Sequence, residues 1–71
     1  MTEMVKRFQM SRWSAIRRRI HDMSVGDEFK ITKGEWADAH TSCVRLTEAY
    51  ERKRIWVCEK VGNKITARRM Q

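Results

Sequence analysis

The stretch RIWVCEKVGNKITARRM, Arg54 to Met70, decides how this chain folds. Two β-prone runs, Ile55-Trp56-Val57-Cys58 and Lys64-Ile65-Thr66-Ala67, flank Gly62-Asn63, a pair suited to a two-residue hairpin turn. With that loop Cys58 faces Ala67 and Lys60 faces Ile65, whereas a slip of one residue exchanges the two faces. In any register Lys60, Asn63 and Lys64 stay at the tip, and almost every polar side chain around the turn is basic.

Upstream of the hairpin the period changes. KGEWADAHTSCVRLTEAYERKR is helical, with Cys43, Leu46 and Tyr50 on one apolar face (i, i+3, i+7). Thr41-Ser42 offers two good N-cap residues in its middle, so the reading is two helices, 34–40 and 42–53. One uninterrupted helix is the alternative. Before it, Val25-Gly26-Asp27 reads as a turn, and Phe29 and Ile31 alternate with Glu28 and Lys30 in a short strand over 28–32. From Ser11, a candidate N-cap, Trp13, Ile16, Ile20 and Met23 fall on one helical face. Residues 1–10 lack periodicity and read as a loose basic arm, leaving residues 11–71 as a single domain.

The chain has 71 residues, near the lower limit for folding without disulfides or a metal. It carries 16 Lys+Arg against 9 Asp+Glu, a net charge of +7, which points to a polyanionic partner, although solubility alone asks for about as much. The charge is uneven: +4 over residues 1–23, −3 over 24–51 and +6 over 52–71. Cys43 and Cys58 lack CxxC spacing, and MTEMVKRFQM holds no apolar run of signal-peptide or membrane-span length. A reduced protein of the bacterial cytoplasm or nucleoid, with no membrane contact, is expected.

The element order helix, strand, helix, helix, strand, strand is α+β and matches a winged helix-turn-helix. There the short first strand pairs with the C-terminal hairpin, and a supporting helix holds a recognition helix in the DNA major groove. The hairpin is the wing and points at DNA.

Residues 24–71 also carry local likenesses. SVGDEFKIT, TSCVRLTEAYERK and IWVCEKVGNKITARRM resemble the "VG-(D/E)-x-F" strand, "vR-x-x-x-x-a" helix and "basic-x-hydrophobic-x-R" strand of small phage and mobile-element proteins. The resemblance covers about two thirds of the chain and implies a winged-helix-like, DNA-binding module. Those proteins typically have Gly where this chain has Glu51 or Arg52.

Three basic constellations are candidates for duplex contact. On the recognition helix, Ser42, Arg45, Ala49 and Arg52 form one exposed stripe, with Lys53 beyond it. The Arg45 fork matches guanine O6 and N7, and Ser42 sits where helix N–H groups favour phosphate. Glu48 and Glu51 on the same helix oppose that reading. On the wing, Lys60, Asn63 and Lys64, with Arg68 and Arg69 behind, suit phosphate contact, unless they merely protect a strand edge. In the N-terminal arm and helix, Lys6, Arg7, Arg12, Arg17, Arg18 and Arg19 suit a minor groove, an acidic protein or plain solvent.

Other chemistry is thin. His40-x-x-Cys43, with His21 and Cys58, supplies four zinc-type ligands without the usual close pairs, so no metal or other cofactor is expected. No phosphate loop, nucleophile elbow or HExxH occurs, which reads as a non-enzyme. Trp13 and Trp56 read as core, while Trp36 among Glu35, Asp38 and His40 reads as a half-buried anchor. The reading is a transcription regulator of phage or mobile-element origin that binds double-stranded DNA, alone or as a homodimer. The alternative is an inhibitor that docks on a host protein, such as RNA polymerase or a nuclease complex, through its basic ends or the Trp36/acidic segment. RNA binding would need an aromatic exposed on the sheet, for which Trp56 is the one good candidate.

Overall fold

The structure, a computed structural model, describes residues 12–71. Its first helix, α1, spans Ala15–His21. Ser14 caps it, its Oγ accepting from Arg17 N at 3.1 Å, while Ser11 lies outside the described residues. Trp13 therefore precedes the helix, half-buried against the core. Arg18, Arg19 and His21 occupy its last turn, where cations suit the helix dipole.

The turn after α1 is built as its composition asks. Asp27 Oδ2 accepts from Ser24 N at 3.0 Å, and Gly26 takes φ 91°, a conformation that glycine adopts without a Cβ penalty. Strand β1, Glu28–Ile31, then pairs antiparallel with β3, Lys64–Arg69, in the register Phe29 opposite Ala67 and Ile31 opposite Ile65. Gly26 N to Arg69 O (2.9 Å) and Arg69 N to Asp27 O (3.0 Å) prolong that ladder. Strand β2, Trp56–Val61, closes the hairpin with β3, giving a three-stranded sheet in the order β1-β3-β2.

The hairpin register is the expected one. Cys58 lies opposite Ala67 and Lys60 opposite Ile65 across the two-residue loop Gly62-Asn63. Gly62 has φ 61° while Asn63 does not have a positive φ, the pattern of a turn that requires glycine at its first central position.

The middle of the chain differs from the two-helix reading. A 3-10 turn, Lys33–Glu35, runs straight into one helix, α2, Trp36–Ala49. Thr41 and Ser42 do not break it. Each costs a helix only a few tenths of a kcal/mol more than its better neighbours, and the Ser42 hydroxyl is engaged elsewhere. It accepts from Arg17 Nε at 3.0 Å and donates to Asp38 Oδ1 at 3.3 Å, so it never competes for the backbone. The true start signal lies at Thr32-x-x-Glu35, where the Glu35 carboxylate accepts from Thr32 N (3.1 Å) and Thr32 Oγ1 (2.7 Å). Those two bonds hold the Glu35 carboxyl below its ordinary range.

The far end of α2 is strained. Glu51 N donates to Glu48 O and Arg52 N to Thr47 O, both at 2.9 Å, the paired bonds of a Schellman ending. Such an ending places one residue in the left-handed region, and here two do so without being glycine: Glu51 (φ 54°) and Arg52 (φ 65°). Glu51→Gly is expected to stabilise the domain by about 1 kcal/mol, raising Tm by roughly 4–8 °C in a calorimetric scan.

The core lies on one side of the sheet. Ile20 and Met23, Ala39, Cys43 and Leu46 from α2, and Ile31, Trp56, Ile65 and Ala67 from the strands are buried together. The apolar face read from Cys43 and Leu46 is therefore inward, with Tyr50 packed at its end. Trp56 is 3% exposed, which removes it as an RNA-stacking platform. Cys43 and Cys58 are both reduced thiols, and burial, followed by the neighbouring Cys58, pushes Cys43 up to about 12. A thiol whose folded pKa is raised stabilises the fold below its unfolded value, and that stability is lost as pH rises toward the folded one. Native Cys43 should thus resist iodoacetamide at pH 8 until urea unfolds the chain. The urea midpoint should also fall between pH 9.0 and about 12 more steeply than in Cys43→Ala.

Candidate nucleic-acid interface

The strands set the geometry of the basic end. Because β1 ends beside Ile65, close to the hairpin turn, the chain enters α2 at the same end of the sheet as the hairpin tip. Lys33, in the 3-10 turn, and Lys60, Asn63 and Lys64 at the tip are all exposed there. Val61 between the two lysines is 71% exposed. Lys60, Asn63 and Lys64 thus stand at the hairpin tip, as expected.

The face that α2 turns to solvent is shifted from the expected stripe. It comprises Ala37, His40, Thr41, Val44, Arg45 and Glu48, all exposed. Arg45 keeps its place on it. Ser42 does not: at 0% exposure it is the one buried polar side chain among the described residues and ties α2 to α1 through Arg17. Counting from a cap at Ser42 turned the helix face inward by about a quarter turn. The exposed positions 37, 41, 45 and 48 are those opposite the buried Ala39, Cys43 and Leu46.

Arg52 and Lys53 are exposed but lie past the end of α2, at the opposite end of the sheet from the hairpin tip. They share no stripe with Arg45. The two arginines behind the wing are also committed locally. Arg68 Nη2 pairs with Glu59 at 3.1 Å. Arg69 donates from Nη1 to Met23 O (2.8 Å) and from Nε to Gln71 O (3.0 Å), with its guanidinium 5.4 Å from the Trp56 ring centre. Both are braces of the sheet: Arg68 shares the outer face with Lys64, and Arg69 lies on the inner face beside Trp56.

The N-terminal group divides. Lys6 and Arg7 lie outside the described residues. Arg17 is half-buried on Ser42, and the Arg19 guanidinium stacks 3.8 Å over the Phe29 ring. Arg12 and Arg18 are exposed.

The acidic segment is largely engaged with the chain itself. Glu35 holds Thr32, Asp38 holds the Ser42 hydroxyl, and Trp36 packs on the core beside His40, ring centres 5.2 Å apart. Across the outer face of the sheet runs an open trough of about 390 Å³, where Lys30, Lys64 and Arg68 alternate with Glu28 and Glu59. Among the described residues no three His, Cys, Asp or Glu side chains stand together to hold a metal, and no helix is long and apolar enough to cross a membrane.

No family model matches this sequence, and neither a curated protein nor a solved structure matches it.

Proposed function

We propose that this chain is a non-enzymatic winged-helix module that binds duplex DNA, a small transcription regulator of the phage or mobile-element kind. The observation that carries the reading is the shared end: exposed lysines at the hairpin tip and the first turns of α2 project from the same side of the fold. Sheet order β1-β3-β2, with a short first strand pairing the hairpin, is the arrangement such a module needs. A 3-10 turn stands where a supporting helix is usual.

In this reading Lys33, Lys60 and Lys64 contact phosphates and supply affinity without sequence information. Arg45 offers a fork for guanine, while Ala37, Thr41 and Val44 present methyl groups of the kind that meet thymine. Small side chains at positions 37 and 41 let the helix backbone approach the groove closely. A single module of this size covers about 600–1,000 Å² on DNA, so two copies on a site with dyad symmetry would serve better than one. The rival, docking on a host protein through Trp36 and the acidic segment, loses support because those carboxylates and that ring are already engaged.

Fluorescence anisotropy of a random labelled duplex, titrated with the full chain over a salt series, tests the reading. Steep loss of affinity with rising salt is expected; absence of binding even at low salt overturns it.

A further inference from the structure

The opposite end of the molecule carries a cationic group of its own. Arg52, Lys53 and Arg54 follow one another past α2, all exposed, and none of them is ion-paired among the described residues. The Arg54 guanidinium lies 4.5 Å from the centre of the Tyr50 ring. The turn is pinned to the sheet end by Met70 N to Ile55 O (2.8 Å), Ile55 N to Gln71 O (3.0 Å) and Gln71 Nε2 to Lys53 O (3.3 Å).

Two lengths separate this group from the hairpin tip. The hairpin runs from the pair Trp56–Arg69 to the pair Val61–Lys64, about 17 Å at the rise of a strand. The 14 residues of α2 span a further route of about 20 Å. The two groups stand at opposite ends of the sheet.

The backbone supplies a second observation. Arg52 sits at φ 65°, where glycine would relieve strain, directly after Glu51 at φ 54°. Glycine adopts such a φ freely, so Arg52→Gly removes this cation without straining the turn. Residues 51–54 are wholly polar, with the Tyr50 ring under Arg54 and the exposed Met70 beside them. Long exposed cations without ion-pair partners fit a phosphate backbone.

We infer that Arg52, Lys53 and Arg54 bind the phosphates of a second duplex, so that one protein joins two DNA segments. This rests on the duplex-binding reading above. Glu51 is the single anion within the turn.

The test captures a fluorescent random duplex on beads carrying a second, immobilised duplex, with the full chain as the only link. Arg52→Gly/Lys53→Ala removes two charges while relieving the backbone, so the variant folds at least as well as the parent, which a thermal scan verifies. Wild type is expected to co-capture the second duplex, and the variant to lose that capture roughly tenfold or more while its affinity for a single duplex falls by less than about threefold. Capture unchanged in the variant overturns the proposal and points to bridging by protein pairs. Wild-type binding to one duplex without co-capture overturns it while leaving the DNA reading intact. Failure to bind any duplex overturns the DNA reading itself. Binding of poly-glutamate that the variant abolishes, without bridging, makes this end a protein-docking surface instead and also overturns the proposal.

Discussion

Trp56→Ala is expected to remove about half of the domain's stability. The ring is 3% exposed and joins three parts of the molecule. It lies 6.1 Å from the His21 ring of α1 and 5.5 Å from the Tyr50 ring at the end of α2, with Arg69 over its face. Its backbone is fastened as well, since Trp56 N donates to Thr47 Oγ1 at 3.0 Å and the same hydroxyl donates back to Trp56 O at 3.3 Å. His21 and Tyr50 are themselves joined at 2.7 Å between Nε2 and Oη, so the whole aromatic group sits on the tryptophan. Removing such a ring typically costs about 3–5 kcal/mol. A chain of this length is stabilised by only about 4–10 kcal/mol in all. Circular dichroism in urea should therefore show the Trp56→Ala midpoint lowered by about half, and that of Trp56→Phe, which keeps a ring, lowered less. An alanine variant as resistant to urea as wild type would contradict this account of the core.

The second large effect falls on binding. Lys60→Ala/Lys64→Ala should leave the fold within about 0.5 kcal/mol of wild type, because both side chains are exposed at the tip and no ion pair holds either among the described residues. On random duplex DNA the double variant should show a salt slope shallower by about 1–2 and an affinity roughly ten- to a hundredfold weaker near 0.1 M salt, the consequence of two lost phosphate contacts. Anisotropy over the same salt series reads both. An unchanged slope would place the phosphate contacts elsewhere on the protein.

The hairpin was legible because its signals were local. Gly62-Asn63 suits a two-residue turn, and that turn pairs Cys58 with Ala67, while the sequence alone left a one-residue slip open. The strands nevertheless run further than their β-prone residues, to Val61 and Arg69, since pairing rather than propensity decides where a ladder stops. The apolar faces of both helices were legible from Ile16, Ile20, Cys43 and Leu46.

The helix count was not. Thr41-Ser42 has the composition of a cap, and only the three-dimensional partners of Ser42, Arg17 on α1 and Asp38 one turn back, reveal a hydroxyl with other work. The same hidden contact took Ser42 and Arg17 off the candidate surface together. Arg68 and Arg69 read as wing cations because a sequence shows charge but not the carboxylate of Glu59 or the carbonyl of Met23 that receives it. The glycine missing at positions 51 and 52 was visible as a departure from the resembling proteins. What it does to the backbone, two consecutive left-handed residues, became visible only in the fold.

The most direct test of the central claim is a residue-by-residue map of the bound surface. Backbone amide shifts of the nitrogen-labelled full chain, followed by heteronuclear NMR as a random duplex is added at low salt, would supply it. The account predicts that Lys33, Ala37, Thr41, Arg45 and the hairpin tip from Lys60 to Lys64 move together. Binding that leaves both the tip and the first turns of α2 unmoved would contradict it.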